Sequence, residues 1–332
     1  VHVPARPPSP FFPFFHRNRN MRLFAAVNLC FVMSTLSRRD FLQAGAASLT
    51  ALSLAPLAAS AAEETPAAAA PKLRLVKLGN TGVTVSQIAF GTGSVGYNKS
   101  SNQTRRGMAH FVELARHAYS RGIRFYDMAD SYGSQPFVAQ TIKTLPREKL
   151  TLGSKVWTED DSKGVYKDIP KTIDRIRREL GSDYVDILLM HCMLKGGWSK
   201  KRQGSMDAFS AAKAAGHIRA VGVSCHNWDA LVEAVETPWV DVIMARINPF
   251  GVLMDNKPEV VKALLQKAVK NGKGVIAMKI FGEGKRVKDA EREQSIRYVL
   301  QDVGIACMTL GMETIPQVDD AVEKVVRLSP AA

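Results

Sequence analysis

Residues 124–133 read RFYDMADSYG, an apolar run that ends on an aspartate and is followed, five residues after that aspartate, by a tyrosine. In an extended strand every second side chain lies on the same face, so Phe125 and Asp127 share a face. Asp127 therefore lies at the carboxyl end of a strand that is apolar enough to be buried. In parallel α/β folds this end of the strands carries the reactive side chains.

Eight apolar runs of this kind follow one another along the chain, and amphipathic segments that often close on glycine separate them. Alternation of buried strands and helices predicts a parallel sheet covered by helices. We predict a (β/α)8 TIM barrel with a short N-terminal β-hairpin in residues 73–87. An open doubly wound sheet is the alternative, but no G-x-G-x-x-G follows the first strand. The runs are SQIAFGTG, GIRFYDMA, KLTLGSKVW, DYVDILLMH, IRAVGVSC, VDVIMARIN, GVIAMKI and GIACMTLG.

The N-terminal residues 1–61 differ from the rest of the chain. LSRRDFLQ, with Arg38 and Arg39, precedes an uncharged stretch that ends in Ala59-Ser60-Ala61. This arrangement resembles a twin-arginine export signal with an A-x-A cleavage site. We therefore expect contact with the export machinery, contact with the membrane only during export, and a periplasmic location. Residues 62–72 would be a linker and residues 73–330 the barrel domain. A membrane anchor or an alanine-rich helix is the alternative.

Composition narrows the classes of function. Hydrophobic residues make up 46% and charged residues 23% of the chain, and the net charge is +14. The basic residues are spread over helical segments such as KTIDRIRREL, so we expect no nucleic-acid partner. The basic loop at residues 195–202 either attracts an acidic substrate or serves solubility. The sequence lacks C-x-x-C and H-E-x-x-H, so no metal site is expected.

Two further ionisable residues close the strands that follow Asp127. They are Lys155 in TLGSKVW and His191 in DILLMHCM. An ammonium group beside Tyr132 would lower the tyrosine pKa from its usual value of about 10, and Asp127 would pair with the buried lysine. A neutral imidazole at His191 would orient a carbonyl oxygen. Together these four side chains predict a proton-transfer site.

The same motifs, in the same order, resemble the aldo-keto reductase superfamily from about residue 73 to residue 327. The resemblance maps a catalytic tetrad onto Asp127, Tyr132, Lys155 and His191. It implies a TIM barrel that binds NADP(H), or alternatively NAD(H), without a Rossmann fold. It also implies hydride transfer to the carbonyl carbon of a small molecule, with Tyr132 giving the proton and His191 holding the carbonyl in line.

The resemblance also implies contacts with the nicotinamide half of the coenzyme. Gly91 and Thr92 would form the backbone floor of the nicotinamide site, and Ser224 would bind the carboxamide. The usual Asn after that serine is Cys225, and the usual Gln of the sixth barrel strand is Met244. We expect Asn248 to compensate for these losses.

Two loops resemble the segments that bind the rest of the coenzyme. Backbone amides near Phe281 and Gly282 would cradle the diphosphate. The second loop, GMETIPQVDD, would hold phosphate and adenosine at a helix start. Its candidate residues are Gly311, Met312, Gln317 and Asp320, where Gln317 replaces a common Arg and Asp320 a usual Glu. Plain glycine turns are the alternative.

Three further hypotheses stay open at the level of sequence. A disulfide between Cys192 and Cys225 is one, because both cysteines follow site residues on neighbouring strands. Another is a nucleotide-binding sensor or interaction protein on the same barrel, suggested by the replacements at Cys225 and Met244. The last is a lyase that uses Lys155 as a Schiff-base amine.

Overall fold

The computed structural model describes residues 73–158 and 168–330. The predicted export signal and the predicted linker lie outside the described residues and stay predictions. The described chain begins with an antiparallel hairpin of β1 (Leu75–Lys77) and β2 (Thr84–Ser86). The hairpin predicted in residues 73–87 is thereby confirmed.

Eight parallel strands then close into a barrel, in which the first strand pairs with the last. The predicted (β/α)8 fold is confirmed: each strand begins within one of the eight apolar runs, and only β6 extends beyond its run, by two residues. The strands are β3 (Ile88–Gly91), β4 (Phe125–Asp127), β5 (Thr151–Trp157), β6 (Val185–Met193), β7 (Ile218–Cys225), β8 (Val242–Arg246), β9 (Gly274–Met278) and β10 (Cys307–Gly311).

Helices cover the outside of the barrel and bury one apolar face each. Caps mark their ends: Asp168 accepts a hydrogen bond at the start of one helix, and Gly181 ends it in the left-handed conformation. The helices are α1 (Asn102–Arg105), α2 (Met108–Ser120), α3 (Gln135–Ile142), α4 (Ile169–Leu180), α5 (Trp198–Lys201), α6 (Gln203–Ala214), α7 (Trp228–Glu236), α8 (Pro258–Lys270), α9 (Asp289–Arg297) and α10 (Ile315–Leu328). Short 3₁₀ turns cover Asp130–Tyr132 and Arg147–Lys149, and a π-helical turn covers Tyr298–Val303.

Strand register brings the predicted site residues together. Asp127 pairs with Gly153, and Lys155 pairs with Leu189. Each inward-facing site residue therefore lies two residues further along its strand than the partner of the preceding one. This stagger is the shear that closes an eight-stranded barrel. The sequence interpretation placed Lys155 and His191 at the ends of their strands, whereas each is followed by two further strand residues.

The interior of the barrel is packed with apolar side chains. Met244, Met278 and Cys307 belong to this interior cluster. Leu78 and Val83 of the hairpin belong to the same cluster, so the hairpin closes the barrel at the amino ends of the strands. The opposite end is left for the polar residues of the candidate site. Among residues 73–158 and 168–330, no helix has the length and apolar character needed to cross a membrane.

Candidate active site

A buried ion pair forms the base of the candidate site. The Lys155 ammonium donates to Asp127 Oδ1 at 2.6 Å and to the Met128 carbonyl oxygen at 2.8 Å. The second carboxylate oxygen, Asp127 Oδ2, accepts from the Thr309 hydroxyl at 2.9 Å. Both charged side chains are buried, Lys155 at 2% and Asp127 at 6% exposure. A pair this deep persists because further hydrogen bonds accompany it.

The pairing decides the charge of the lysine. Burial alone would lower the pKa of Lys155, but the Asp127 carboxylate acts the other way, and the net pKa is raised. Lys155 is therefore an ammonium group at neutral pH. Since a Schiff base requires a neutral amine, this environment argues against the lyase hypothesis.

Tyr132 lies at the end of the 3₁₀ turn that follows β4. The Lys155 Nζ lies 5.2 Å from the centroid of its ring. Tyr132 is partly exposed. Asp127 and Tyr132 thus belong to one site, because a single 3₁₀ turn carries the chain from the end of β4 back over Lys155.

The pKa of Tyr132 differs from the sequence expectation. Burial raises the pKa of the tyrosine, and the Lys155 charge lowers it by less, so the net pKa is above its ordinary value. The expected lowering is therefore wrong in sign, although the lysine acts in the predicted direction. Tyr132 is therefore protonated at neutral pH, so the hydroxyl carries the proton that a donor must give.

His191 completes the cluster from the end of β6. Its ring centroid lies 5.7 Å from that of Tyr132 and 5.8 Å from that of Trp157, with the rings nearly perpendicular. Burial, followed by the charge of Lys155, lowers the pKa of His191 well below its usual value. His191 Nδ1 is buried without a hydrogen-bond partner in the part of the chain that the structure describes. The imidazole is therefore neutral, as the sequence interpretation required.

The strand is irregular immediately after this histidine. The register between β6 and β7 shifts between Met190 and Met193, and Cys192 adopts a left-handed conformation with φ of 59°. Irregularities of this kind redirect side chains next to active sites. This shift was not predicted from the sequence, because an unbroken apolar run gives no sign of it.

The predicted floor of the nicotinamide site is occupied by contacts within the barrel. The Thr92 hydroxyl lies 2.9 Å from the Asp127 carbonyl oxygen, to which it donates, and 2.7 Å from Ser134 Oγ. A Cβ on Gly91 would lie 2.8 Å from the Leu310 carbonyl oxygen. Packing therefore explains the residue types at Gly91 and Thr92, and their coenzyme contacts stay predictions.

Ser224 and Asn248, the predicted carboxamide contacts, differ in their capacity to bind a ligand. Ser224 Oγ accepts from the Cys192 N–H at 2.9 Å, which leaves its own proton to donate. The Asn248 amide donates to the Val252 carbonyl oxygen at 2.8 Å and accepts from the Phe250 and Val252 N–H groups, each at 3.1 Å. Asn248 therefore organises its own loop, and a coenzyme contact would have to replace one of these bonds.

The backbone groups of the predicted diphosphate turn also form hydrogen bonds within the turn. The Gly282 N–H donates to the Lys279 carbonyl oxygen at 2.9 Å, and the Phe281 carbonyl oxygen accepts from the Arg286 N–H at 3.1 Å. Gly282 has a φ of 57°, which suits glycine, and Phe281 packs against the core. The Gly282 amide is thus used within the turn, whereas Gly284 faces open space.

The predicted adenosine loop joins β10 to α10. Gly311 is exposed and Met312 is buried. Gln317 is exposed, and its Oε1 accepts from the Glu313 N–H at 2.7 Å. Asp320 Oδ2 accepts from Arg292 Nε at 2.9 Å and also pairs with a lysine of its own helix. At the helix start, the Gln317 N–H donates to Thr314 and Pro316 has no N–H, so this end of α10 offers few backbone donors to an anionic ligand.

The hypothetical disulfide is contradicted. Cys192 and Cys225 do not form a disulfide with each other. The residue that pairs with Cys225 is Met193, and the Cys192 thiol lies 3.9 Å from His226 Nε2, while the Cys225 thiol lies 3.7 Å from the Ala230 carbonyl oxygen. The two thiols therefore contact different residues.

Three side chains at the site were not predicted from the sequence. Thr309, on the last barrel strand β10, donates a hydrogen bond to Asp127, and Trp157 packs against His191. The third is His226, whose Nδ1 is buried without a partner in the described residues. The alternation rule pointed to Thr309 and Trp157, because each lies two residues from an inward-facing position of its own strand.

Comparison with known proteins agrees with this geometry. The sequence pattern of the aldo/keto reductase family matches residues 87–329. The chain is 26% identical over 206 residues to the NADH-specific methylglyoxal reductase of Escherichia coli, covering 56% of this chain and 62% of the relative. It is 29% identical over 179 residues to the NAD/NADP-dependent indole-3-acetaldehyde reductase of Schizosaccharomyces pombe, covering 53% and 57%. The chain thus spans less than two thirds of either relative.

A solved structure shows the same fold. A protein assigned as an aldo-keto reductase from Pseudomonas aeruginosa superposes with a TM-score of 0.63 at 20% identity, covering 78% of this chain and 97% of that one. The closed eight-stranded barrel, the grouped tetrad and the family pattern lead to one conclusion: this chain belongs to the aldo/keto reductase family.

Proposed function

We propose that this protein is a nicotinamide-dependent oxidoreductase that interconverts aldehydes or ketones with alcohols, with Tyr132 as the proton donor. The observation that carries the proposal is the grouping of Tyr132 and His191 around the buried Asp127–Lys155 pair. The reductases named among the relatives support the reaction class.

Each side chain has a separate task in the proposed reaction. Tyr132 donates its hydroxyl proton to the carbonyl oxygen, and the positive charge of Lys155 stabilises the phenolate that remains. Asp127 keeps the ammonium group charged and fixed. His191 is neutral and donates one N–H to the carbonyl oxygen, which aligns the substrate.

The residues at the mouth of the barrel fit a nicotinamide dinucleotide. The Ser224 hydroxyl has a proton to donate to a carboxamide oxygen, and a bound ligand would supply the hydrogen-bond partner that His191 Nδ1 lacks among the described residues. The start of α10 is the proposed phosphate site, although its Gln317 N–H already donates to Thr314. Bound there, the dinucleotide would supply the hydride.

The choice of coenzyme belongs to the same proposal. NADP(H) is our first expectation and NAD(H) the alternative. Gln317 offers no positive charge to a 2′-phosphate, and the nearby Arg292 is paired with Asp320. Those two facts favour NAD(H), and the superfamily resemblance favours NADP(H).

A nucleotide-binding sensor is the second candidate, and one observation favours it. Met244 lies in the apolar interior, and the Cys225 thiol contacts a carbonyl oxygen. Neither side chain carries an amide group that would bind the carboxamide. Such a protein would bind the dinucleotide without turnover that depends on Tyr132.

We also propose that the protein is exported by the twin-arginine route to the periplasm. The support is the Arg38-Arg39 pair and the uncharged stretch that follows it. Because this route carries folded proteins, a bound coenzyme would travel with the barrel. Replacing both arginines with lysine should retain the protein in the cytoplasm, and unchanged export would contradict the proposal.

The test of function is a parallel titration of the purified protein with NADPH and NADH, followed by turnover with a panel of aldehydes and ketones. Saturable binding of either coenzyme and turnover of a carbonyl compound are expected. Binding without turnover would select the sensor. Binding of neither by folded, coenzyme-free protein would overturn both candidates.

A further inference from the structure

The ring of Tyr132 is held in place by the loop that follows β3. A Cβ on Gly93 would lie 2.2 Å from Tyr132 Cε2, and one on Gly96 would lie 2.5 Å from Tyr132 Cδ1. Only glycine leaves room for the ring at both positions. The position of residues 93–100, which we call the tyrosine loop, therefore sets the position of the tyrosine ring.

The tyrosine loop is itself fastened to the 3₁₀ turn that carries Tyr132. The Lys99 N–H donates to the Ser131 carbonyl oxygen at 2.8 Å, and the Lys99 ammonium group pairs with Asp130. Close packing continues at Gly133, where a Cβ would lie 2.3 Å from the Lys99 carbonyl oxygen. The loop and the turn thus meet at Lys99.

Asp130 is an unusual residue at this junction. Its side chain is 1% exposed, and its Oδ1 also forms an ion pair with Arg175 Nη2 of helix α4 at 2.8 Å. Burial raises the pKa of Asp130, but Lys99 and Arg175 lower it by more. A buried carboxylate is costly unless cations accompany it, so this residue holds two cations together.

The backbone of the tyrosine loop needs such an anchor. Val95 and Asn98 each have a φ of 49°, and Lys99 has a φ of 60°. These left-handed conformations are unfavourable for non-glycine residues, and for a β-branched valine most of all. They persist only where the surroundings fix them. Of these three residues, Lys99 forms an ion pair with the buried Asp130.

We propose that Asp130 is a positioning residue for the reaction, which holds the Tyr132 ring through its ion pair with Lys99 and the tyrosine loop. Asp130 contacts neither substrate nor coenzyme in this assignment. The proposal rests on the proposed function for its kinetic consequence. Its structural consequence, a fixed orientation of Tyr132, is independent of that function.

The kinetic test compares Lys99→Met, Asp130→Asn and the double variant. Each single variant should lower kcat by about 10- to 100-fold with little change in the coenzyme KM, because misplacing a reacting group by about 1 Å has that cost. The double variant should be no slower than the slower single variant, because both changes remove the same ion pair. Lys171→Met, which removes an exposed ion pair with Asp168, is the matched control and should behave as wild type.

The structural test needs no turnover. Protein labelled with 3-fluorotyrosine gives a ¹⁹F resonance for Tyr132, which Tyr132→Phe identifies by its loss. The wild type and Lys171→Met should show one sharp Tyr132 line. Lys99→Met should broaden or split it. If Asp130→Asn fails to fold, Lys99→Met still carries both tests, because it leaves Asp130 paired with Arg175.

Two results would overturn the proposal: a kcat for Lys99→Met within about twofold of wild type, which is below the cost of a misplaced group, or an unchanged Tyr132 resonance. A wild-type protein that turns over no carbonyl compound would instead refute the proposed function. In that case the resonance alone decides whether Asp130 positions the tyrosine.

Discussion

The two ends of the barrel each bury an aspartate against positive charge, but the partners differ. At the amino end, Asp186 accepts from Arg147 Nη2 at 2.8 Å, from Arg219 Nη1 at 3.0 Å and from the Leu152 N–H at 2.8 Å. At the carboxyl end, Asp127 has a lysine and a threonine hydroxyl. A guanidinium group is always charged, whereas the charge of a lysine depends on its surroundings.

The surroundings of the two carboxylates differ in the same way. The amino end is closed by the apolar side chains of the hairpin. At the carboxyl end, His191 Nδ1 has no hydrogen-bond partner among residues 73–158 and 168–330, and the backbone of the tyrosine loop is strained. Unmet polar groups and strain have a cost, and they persist where a ligand or a reaction uses them. The amino end of the barrel therefore serves stability, and the carboxyl end serves the chemistry.

The largest effect should come from removing the proton donor. We expect Tyr132→Phe to lower kcat by about 10²- to 10⁴-fold, the usual contribution of general acid catalysis, without weakening coenzyme binding. Steady-state kinetics and a coenzyme titration measure the two quantities.

Tyr126→Phe is a matched control from the same stretch of sequence. The Tyr126 hydroxyl donates to the Ala115 carbonyl oxygen at 3.2 Å, on the outer side of the strand. Its loss should reduce the free energy of unfolding by about 1 kcal/mol and leave kcat unchanged. Equal kcat values for the two variants would remove Tyr132 from the reaction.

A smaller effect on kcat should follow from crowding the tyrosine. Gly93→Ala places a Cβ 2.2 Å from the Tyr132 ring, so the ring must shift, and we expect kcat to fall by about 10- to 100-fold. Gly204→Ala is the control, because a Cβ there meets nothing within 4 Å and lies in helix α6. It should raise the free energy of unfolding by about 0.5–1 kcal/mol. A fully active Gly93→Ala would mean that the ring position is not critical.

The smallest expected effect concerns acid stability at the carboxyl end. Burial lowers the pKa of His226 to about 3, and the charges of Lys279 and Arg246 act in the same direction. In the unfolded chain a histidine has a pKa of about 6.5, so below that pH the unfolded chain binds a proton that the folded chain does not. Stability is therefore lost as the pH falls below about 6.5, by up to about 1.4 kcal/mol per pH unit.

Urea unfolding of the wild type and of His226→Gln at pH 7 and pH 5 measures this contribution. The variant should lose about 1–2 kcal/mol less than the wild type between the two pH values, because glutamine does not titrate in this range. Identical losses would show that His226 is protonated to the same extent in the folded and unfolded chains.

The barrel and its tetrad could be predicted because they follow from simple periodicities. Alternating apolar runs gave the strands, and polar residues at strand ends gave Asp127, Lys155 and His191. The sign of the Tyr132 pKa could not be predicted in this way. It depends on how much protein surrounds the hydroxyl, and the residues that do so come from loops distant in the sequence.

Loop contacts account for the other differences. The Asn248 amide is occupied by residues four or fewer positions away, and the Gly282 amide by its own turn. The shift in register after His191 left Cys192 beside His226 and not beside Cys225. Each outcome depends on a backbone conformation that local sequence does not determine, so motif position alone misjudged what these side chains contact.

Asp127→Asn and Asp186→Asn, compared at a temperature where both variants are folded, test the division between the two ends most directly. Removing one partner of a buried ion pair reduces the free energy of unfolding by about 3–5 kcal/mol, so we expect both variants to be destabilised. Only Asp127→Asn should lose most of its kcat, because only Asp127 keeps Lys155 charged beside Tyr132. A large loss of kcat in folded Asp186→Asn, or a normal kcat in Asp127→Asn, would contradict the account.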